Sequence, residues 1–179
     1  MSRTNPFKKK RRSAHRTLLV FGEGLCEEVF LKHLRKLYSY NSNVTIKVLR
    51  GKGGTPADVV IDSYKIPGDY ETRVVVVDND KSQQEMELAR KEAKRRKITL
   101  IENTPCIEAL LLSILNGSKD FSNKTSDWCK KEFESKYIEK KKRSESEPYE
   151  KLFTKSLLDS SRSKLNVLDT MINLMEGKF

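Results

Sequence analysis

Glu23, Asp78, Asp80 and Glu108 are the residues of this chain whose types and positions could do chemistry together. Each follows an apolar run that reads as a buried strand. Glu23 comes after residues 17–21, Asp78 and Asp80 come after four consecutive valines, and Glu108 lies one turn into the helix that follows residues 98–101. In an open parallel sheet, side chains from successive strand ends converge on one rim, and ligands bind there. Four carboxylates on one rim repel one another unless a cation sits between them. Hard oxygen donors of this kind suit Mg²⁺ or Mn²⁺, which keep several waters and bind substrate phosphate oxygens. Asp78 and Asp80 are two residues apart, so on an extended segment both carboxylates face the same side and can share one metal. The expected metal ligands and catalytic acids are therefore Glu23, Asp78 and Asp80, with Glu108 as a further acid. A metal on Asp78 and Asp80 would polarise a phosphoryl oxygen. Glu23 could complete its shell or act as general base or acid, help typically worth ~10²–10⁴ in rate. Arg50 and Lys52, after the second strand, are candidate phosphate contacts on the same rim. The structural alternative for the acids is a set of helix caps and solvated loop carboxylates.

The elements that must position these residues alternate regularly. Residues 17–21 form a short apolar run, as expected of a strand buried on both faces. Gly22-Glu23-Gly24 breaks it, and a helix follows with Val29, Phe30, Leu34 and Leu37 on one face. Residues 44–49 alternate like a strand, and Thr55-Pro56 reads as N-cap and first-turn proline of the next helix. Residues 73–77 are the clearest strand, since consecutive valines are poor helix formers. A charged helix is expected over 82–96, a strand over 98–101, and an apolar helix from Asn103-Thr104-Pro105 to Leu115, stopped by Asn116-Gly117. This βαβαβαβα order implies an α/β fold with a mostly parallel central sheet of about four strands and helices on both faces. After about residue 120 the pattern is helical, over 126–142 and 149–158 with a Ser/Glu-rich loop at 144–148 between them. Leu165, Leu168, Met171, Ile172 and Met175 form a stripe that should dock on the body. The basic cluster 140–143 reads as a solvated loop. The expected organisation is a basic flexible arm over 1–16, an α/β core over 17–117 and a helical C-terminal extension over 118–179.

The 179 residues carry 36 Lys and Arg against 25 Asp and Glu, a formal charge of +11. Seven of the cations lie in the first 16 residues, which hold no acid, so the remaining chain is only +4. A basic arm ahead of a nearly balanced domain reads as an electrostatic handle for phosphate backbones, although a solubilising tail or an import signal would use the same residues. No stretch approaches the ~20 apolar residues of a membrane span, and no signal-peptide core is evident. A cytoplasmic protein without membrane attachment is expected. Cys26, Cys106 and Cys129 are odd in number and far apart, which argues for reduced thiols over a disulfide framework or a zinc site.

Other chemistries fit poorly. Glu27 stands where a dinucleotide fingerprint has its third glycine, and Glu23 between glycines would repel a pyrophosphate. Gly51 to Gly54 lacks a P-loop ending. His15 and His33 are the only histidines, so a nucleophilic triad has little to build on. Glu92-Ala93-Lys94 imitates the Glu-x-Lys of restriction-type nucleases but falls in a helical stretch.

Three segments carry a resemblance. Leu18-Leu19-Val20-Phe21-Gly22-Glu23-Gly24 with Glu27 following, residues 74–80, and Asn103-Thr104-Pro105-Cys106-Ile107-Glu108 leading into residues 110–112 resemble the motifs of RloB-like proteins, in order. That family belongs to the Toprim-like group. The resemblance implies a Toprim-like fold and metal-dependent nuclease chemistry on nucleic acid in bacterial defence against phage, with a partner ATPase of a defence system as a further candidate. Glu23 resembles the Toprim glutamate, Asp78 and Asp80 resemble the metal aspartates, and Glu27 and Glu108 match additional family acids. Cys26 stands where the family usually has threonine, Thr104 is inserted, and Ile107 replaces an aromatic residue. A different class stays open, a non-catalytic Toprim-like subunit that binds nucleic acid or assembles a defence complex.

Overall fold

Period-two alternation along the valine strand decides which side of the sheet each element covers. In the computed structural model, which describes residues 16–40 and 42–179, strands β1 (Arg16–Gly22), β2 (Val44–Arg50), β3 (Thr72–Asp78) and β4 (Thr99–Asn103) form one parallel sheet. The order is β2-β1-β3-β4 among the described residues. Val74 and Val76 face a large core shared with helices α1 (Leu25–Tyr38) and α4 (Ile107–Leu115), whereas Val75 and Val77 face a smaller core under α2 (Pro56–Lys65) and α3 (Gln83–Arg96). All four valines are fully buried. The expected α/β architecture, helices on both faces included, is therefore present, and it is consistent with a Toprim-like fold. Continuing the alternation, Asp78 leaves the strand toward the α1 and α4 side.

The chain runs from β1 outward to β2, then crosses to β3 on the other side of β1. The strand order thus reverses between β1 and β3, where an open sheet leaves a crevice at its carboxyl end. Glu23 and Asp78 stand on the two sides of that crevice. The Glu23 backbone N–H donates to the Val76 carbonyl at 3.0 Å, which ties the first turn after β1 to β3.

The C-terminal third packs on the α1 and α4 face and extends the large core. Helices α5 (Ser126–Lys136), α6 (Ser146–Leu152), α7 (Lys155–Arg162) and α8 (Asn166–Met175) contribute buried Phe133, Tyr149, Leu158, Leu168, Met171, Ile172 and Met175. The stripe expected to dock does so, with Leu165 as the N-cap of α8. Three details differ from the periodicity. The helix expected over 126–142 ends at Lys136, because Tyr137 leaves helical geometry and sends Ile138 into the core; a separate 3-10 turn covers Lys140–Lys142. The stretch expected as one helix over 149–158 is two. Phe153 turns into the core between them against Phe30 at 5.3 Å, and the Thr154 Oγ1 accepts from the Leu157 N–H at 3.3 Å to start α7. The loop expected over 144–148 already contains the first turn of α6, where Pro148 costs no intrahelical hydrogen bond.

Arg16, expected in a flexible arm, instead opens β1. Its guanidinium donates to the carbonyls of Gly177 at 3.0 Å and Phe179 at 2.6 Å and pairs with Glu71 at 3.2 Å. The remainder of the expected arm lies outside the described residues. Among the described residues no helix is long and apolar enough to cross a membrane.

Candidate active site

Two glycines let the first acids approach the sheet. A Cβ on Gly22 would lie 2.7 Å from the Glu27 Cβ, and one on Gly24 would lie 3.0 Å from Glu27 Oε2. Glu27 uses this space to turn back and accept from the Gly24 N–H at 3.1 Å, which fixes the first turn of α1. Glu23 Oε2 accepts from the Asp78 backbone N–H at 3.2 Å, across the crevice. Asp78 Oδ1 accepts from the Ile107 N–H at 2.9 Å, at the start of α4. Each anion therefore meets a peptide donor, and Glu27 and Asp78 both sit at helix starts, where the aligned peptide dipoles favour negative charge.

These groups nevertheless form a buried cluster of acids. Glu23, Glu27, Asp78 and Glu108 line one cavity of about 210 Å³ together with Lys130 and Arg143. Glu27, Asp78 and Glu108 are almost fully buried, and among the described residues Glu108 Oε2 has no hydrogen-bond partner. Burial, reinforced by Glu27 and Glu108, pushes the Asp78 carboxyl up to about 9. Burial also pushes Glu27 up to about 7, against the hydrogen bond from its own helix start and with Glu108 and Glu23 adding to the rise. Glu23 is raised as well, by burial first, although the Asp78 N–H works against it. Solvated loop carboxylates would show none of this. The capping alternative holds for Glu27 and Asp78 as part of their role, since both also close helix starts.

Asp80 lies just beyond β3 and does not line the cavity, but it converges with Asp78 as the two-residue spacing predicts. The Lys130 Nζ is 3.8 Å from Asp78 Oδ2 and 3.9 Å from Asp80 Oδ2, so one ammonium stands between the two aspartates. Asp80 also pairs with Lys81 at 3.4 Å. Burial works against the charge on Lys130, but Asp78, Glu108 and Asp80 outweigh it and hold the ammonium above its usual range. Among the described residues, no group of three or more His, Cys, Asp and Glu side chains is set to hold a metal ion as the side chains stand.

Sequence reasoning missed Lys130 and Arg143. Lys130 comes from α5 and Arg143 from the turn before α6, in the basic cluster expected as a solvated loop; Arg143 is also paired with Glu134 at 3.0 Å. The one available signal was helical phase, since Lys130 follows buried Cys129 and so flanks the buried seam of α5. The two cations expected on the rim flank Gly51, whose N–H donates to the Gly22 carbonyl at 2.8 Å beside Glu23. Arg50 pairs with Glu28 at 3.4 Å, and Lys52 is exposed in the loop after β2; neither lines the acid cavity. Cys26, Cys106 and Cys129 are unpaired and buried, and burial beside Glu108 pushes the Cys26 thiol up to about 12. Cys26 is thus a packing residue, and the neutral thiol is a poor nucleophile. His33 is a packing residue too, its Nε2 bonded to the Phe153 carbonyl at 2.7 Å. Glu92 and Lys94 lie in α3, on no strand beside Asp78.

No protein-family model, curated protein or solved structure matches this chain.

Proposed function

We propose that this protein is a Toprim-like, divalent-metal-dependent nuclease that hydrolyses nucleic acid phosphodiesters, akin to the RloB-like proteins its motifs resemble. The observation that carries the proposal is the convergence of Glu23, Glu27, Asp78 and Glu108 on one cavity at the sheet's reversal point, with Asp80 alongside. The donor set fits Mg²⁺ or Mn²⁺. It is all carboxylate oxygen, it contains an orphaned buried oxygen on Glu108, and it is too crowded with anions to be comfortable with one lysine. Glu23, Asp78 and Asp80 would hold the ion, with Glu27 and Glu108 behind them. A bound ion would supply charge neutralisation at a phosphoryl oxygen and acidify a water.

The chain's own groups would do the rest. Glu23 is oriented by the Asp78 N–H at Oε2, which leaves Oε1 to take the proton of the attacking water. The water oxygen bonds to phosphorus, the bond from phosphorus to the leaving sugar oxygen breaks, and that oxygen takes a proton from solvent. The net change is one water added across the phosphodiester. Lys130, beside both aspartates, would bind a non-bridging phosphate oxygen. The buried reduced thiols support a cytoplasmic setting, and bacterial anti-phage defence is the role the motif resemblance favours.

A second reading has one specific observation behind it. Lys130 already stands between Asp78 and Asp80, as a fixed cation would in a non-catalytic subunit that binds nucleic acid or a defence ATPase. The two separate on one experiment. Plasmid DNA, single-stranded DNA, tRNA and mRNA are incubated with the protein in Mg²⁺, Mn²⁺ or EDTA, beside Asp78→Ala. Metal-dependent cleavage lost in the variant is expected; binding without cleavage, unchanged in Asp78→Ala, would favour the subunit, and equal cleavage by the variant would sink the site.

A further inference from the structure

The chain's single tryptophan, Trp128, lies on the exposed side of α5 at 38% exposure. It is not loose. Its indole stacks on Phe121, with ring centroids 5.9 Å apart and planes 22° from parallel, and Phe121 is itself buried. The Trp128 backbone N–H donates to Thr125 Oγ1 at 3.2 Å, which fixes the helix start that carries the ring. One indole face is thereby held against the body while the side chain stays partly open to solvent.

The surroundings of this ring pair are cationic. The Lys124 Nζ lies 5.6 Å from the Trp128 ring centroid and the Lys119 Nζ lies 5.7 Å from that of Phe121. Lys131 is exposed further along α5. Among the described residues none of these three lysines forms an ion pair. Of the nearby acids, Asp120 is turned into its own loop, accepting from the Ser122 N–H at 2.8 Å and hydroxyl at 2.9 Å, and Asp127 sits in the first turn of α5. We infer that Trp128 and Phe121, with Lys119 and Lys124, form a stacking platform for an unpaired base of a single-stranded nucleic acid. Every base has an apolar π-face and an anionic linkage on each side, and a partly exposed ring with a mobile lysine over it matches both, the ammonium moving to the linkage as the base takes its place. A duplex hides its base faces, so the platform selects for single strands.

Trp128 and Lys130 are two residues apart on a helix of 3.6 residues per turn, so they leave α5 on opposite flanks of its buried Cys129–Phe133 seam. The platform therefore grips strand beyond the acid cavity and acts on binding, with no contact to the reacting phosphate. The choice of nucleic acid rests on the reading of the acids given above, but the platform is tested without catalysis.

The full chain in EDTA is titrated with oligo(dT) and with a blunt duplex, reading tryptophan emission together with the anisotropy of a labelled oligonucleotide. Saturable quenching by the single strand is expected, with little by the duplex. Trp128→Ala should weaken single-strand binding about tenfold to a hundredfold, and Trp128→Phe by less. Binding that leaves Trp128 emission unmoved, equal affinity in Trp128→Ala, equal quenching by duplex, or no single-strand binding to the wild type would each overturn the platform. Quenching in EDTA without any metal-dependent cleavage would overturn the nuclease and leave the platform standing. Cleavage with a silent Trp128 would do the reverse.

Discussion

Asp78→Asn should make the metal-free protein more stable while abolishing the function proposed for it. The substitution keeps the shape of the side chain and leaves an amide oxygen to accept from the Ile107 N–H, now at 2.9 Å from Asp78 Oδ1. What it removes is the cost of keeping a buried carboxyl protonated beside Glu27 and Glu108 at neutral pH. The carboxyl is pushed from an ordinary 3.8 up to about 9. At pH 7.5, carrying that carboxyl in its site instead of in the unfolded chain costs about 5 kcal/mol, at about 1.4 kcal/mol per pH unit. The cavity opens to solvent and its side chains can move apart, so about half of this, roughly 2 kcal/mol, is expected as the net gain. For a chain of this size that is a rise in Tm of about 4–8 °C. The sign follows from the raised carboxyl. Below pH about 4 both folded and unfolded states are protonated and the variant gains nothing. The gain grows as pH rises through the unfolded value, and it levels off as pH passes the folded value of about 9. Thermal melts of both proteins in EDTA, from pH 4 to pH 9, measure this directly. Equal or lower stability of Asp78→Asn across that range would refute the claim that burial and the neighbouring acids hold the Asp78 carboxyl up.

Two further changes separate packing from charge. Gly22→Ala places a methyl where Glu27 passes, 2.7 Å from its Cβ, and should cost about 1–3 kcal/mol in urea unfolding; an unchanged midpoint would mean Glu27 has room to move. Lys130→Ala removes the ammonium between Asp78 and Asp80. It should lower the metal-free Tm, tighten Mn²⁺ binding severalfold and slow cleavage about a hundredfold, whereas weaker Mn²⁺ binding would mean that Lys130 and the ion do not compete.

The fold was legible because its strands are written in residues that suit little else. Residues 74–77 can hardly form anything but a buried strand, and their alternation also determines that Asp78 turns toward α1 and α4. The Thr55-Pro56 helix start was legible for a similar reason, since it carries its own capping chemistry; Thr55 Oγ1 accepts from the Asp58 N–H at 3.2 Å. Glu23, Asp78 and Glu108 could be brought together on topology alone, because strand ends share one rim. What could not be read depends on tertiary packing. Ile138 and Phe153 break helices whose local propensity would carry them on, since each is worth more in the core than in another turn. Lys130 and Arg143 reach the cavity only because α5 and the following turn fold back over α4, and nothing in their spacing encodes that path. The partner of Arg50 was hidden by the same limit. Arg50 lies at the correct end of the sheet, but Glu28 on α1 is nearer than the acid cavity and holds it.

The proposed chemistry requires the acid cluster to take a divalent ion. Titrating Mn²⁺ into the full chain at pH 8 without nucleic acid, and following the loss of the free Mn²⁺ resonance, reads this with no reliance on activity. Saturable binding to the wild type, weakened at least about tenfold in the folded Asp78→Asn variant, is the predicted result. No binding by the wild type, or equal binding by the variant, would contradict it.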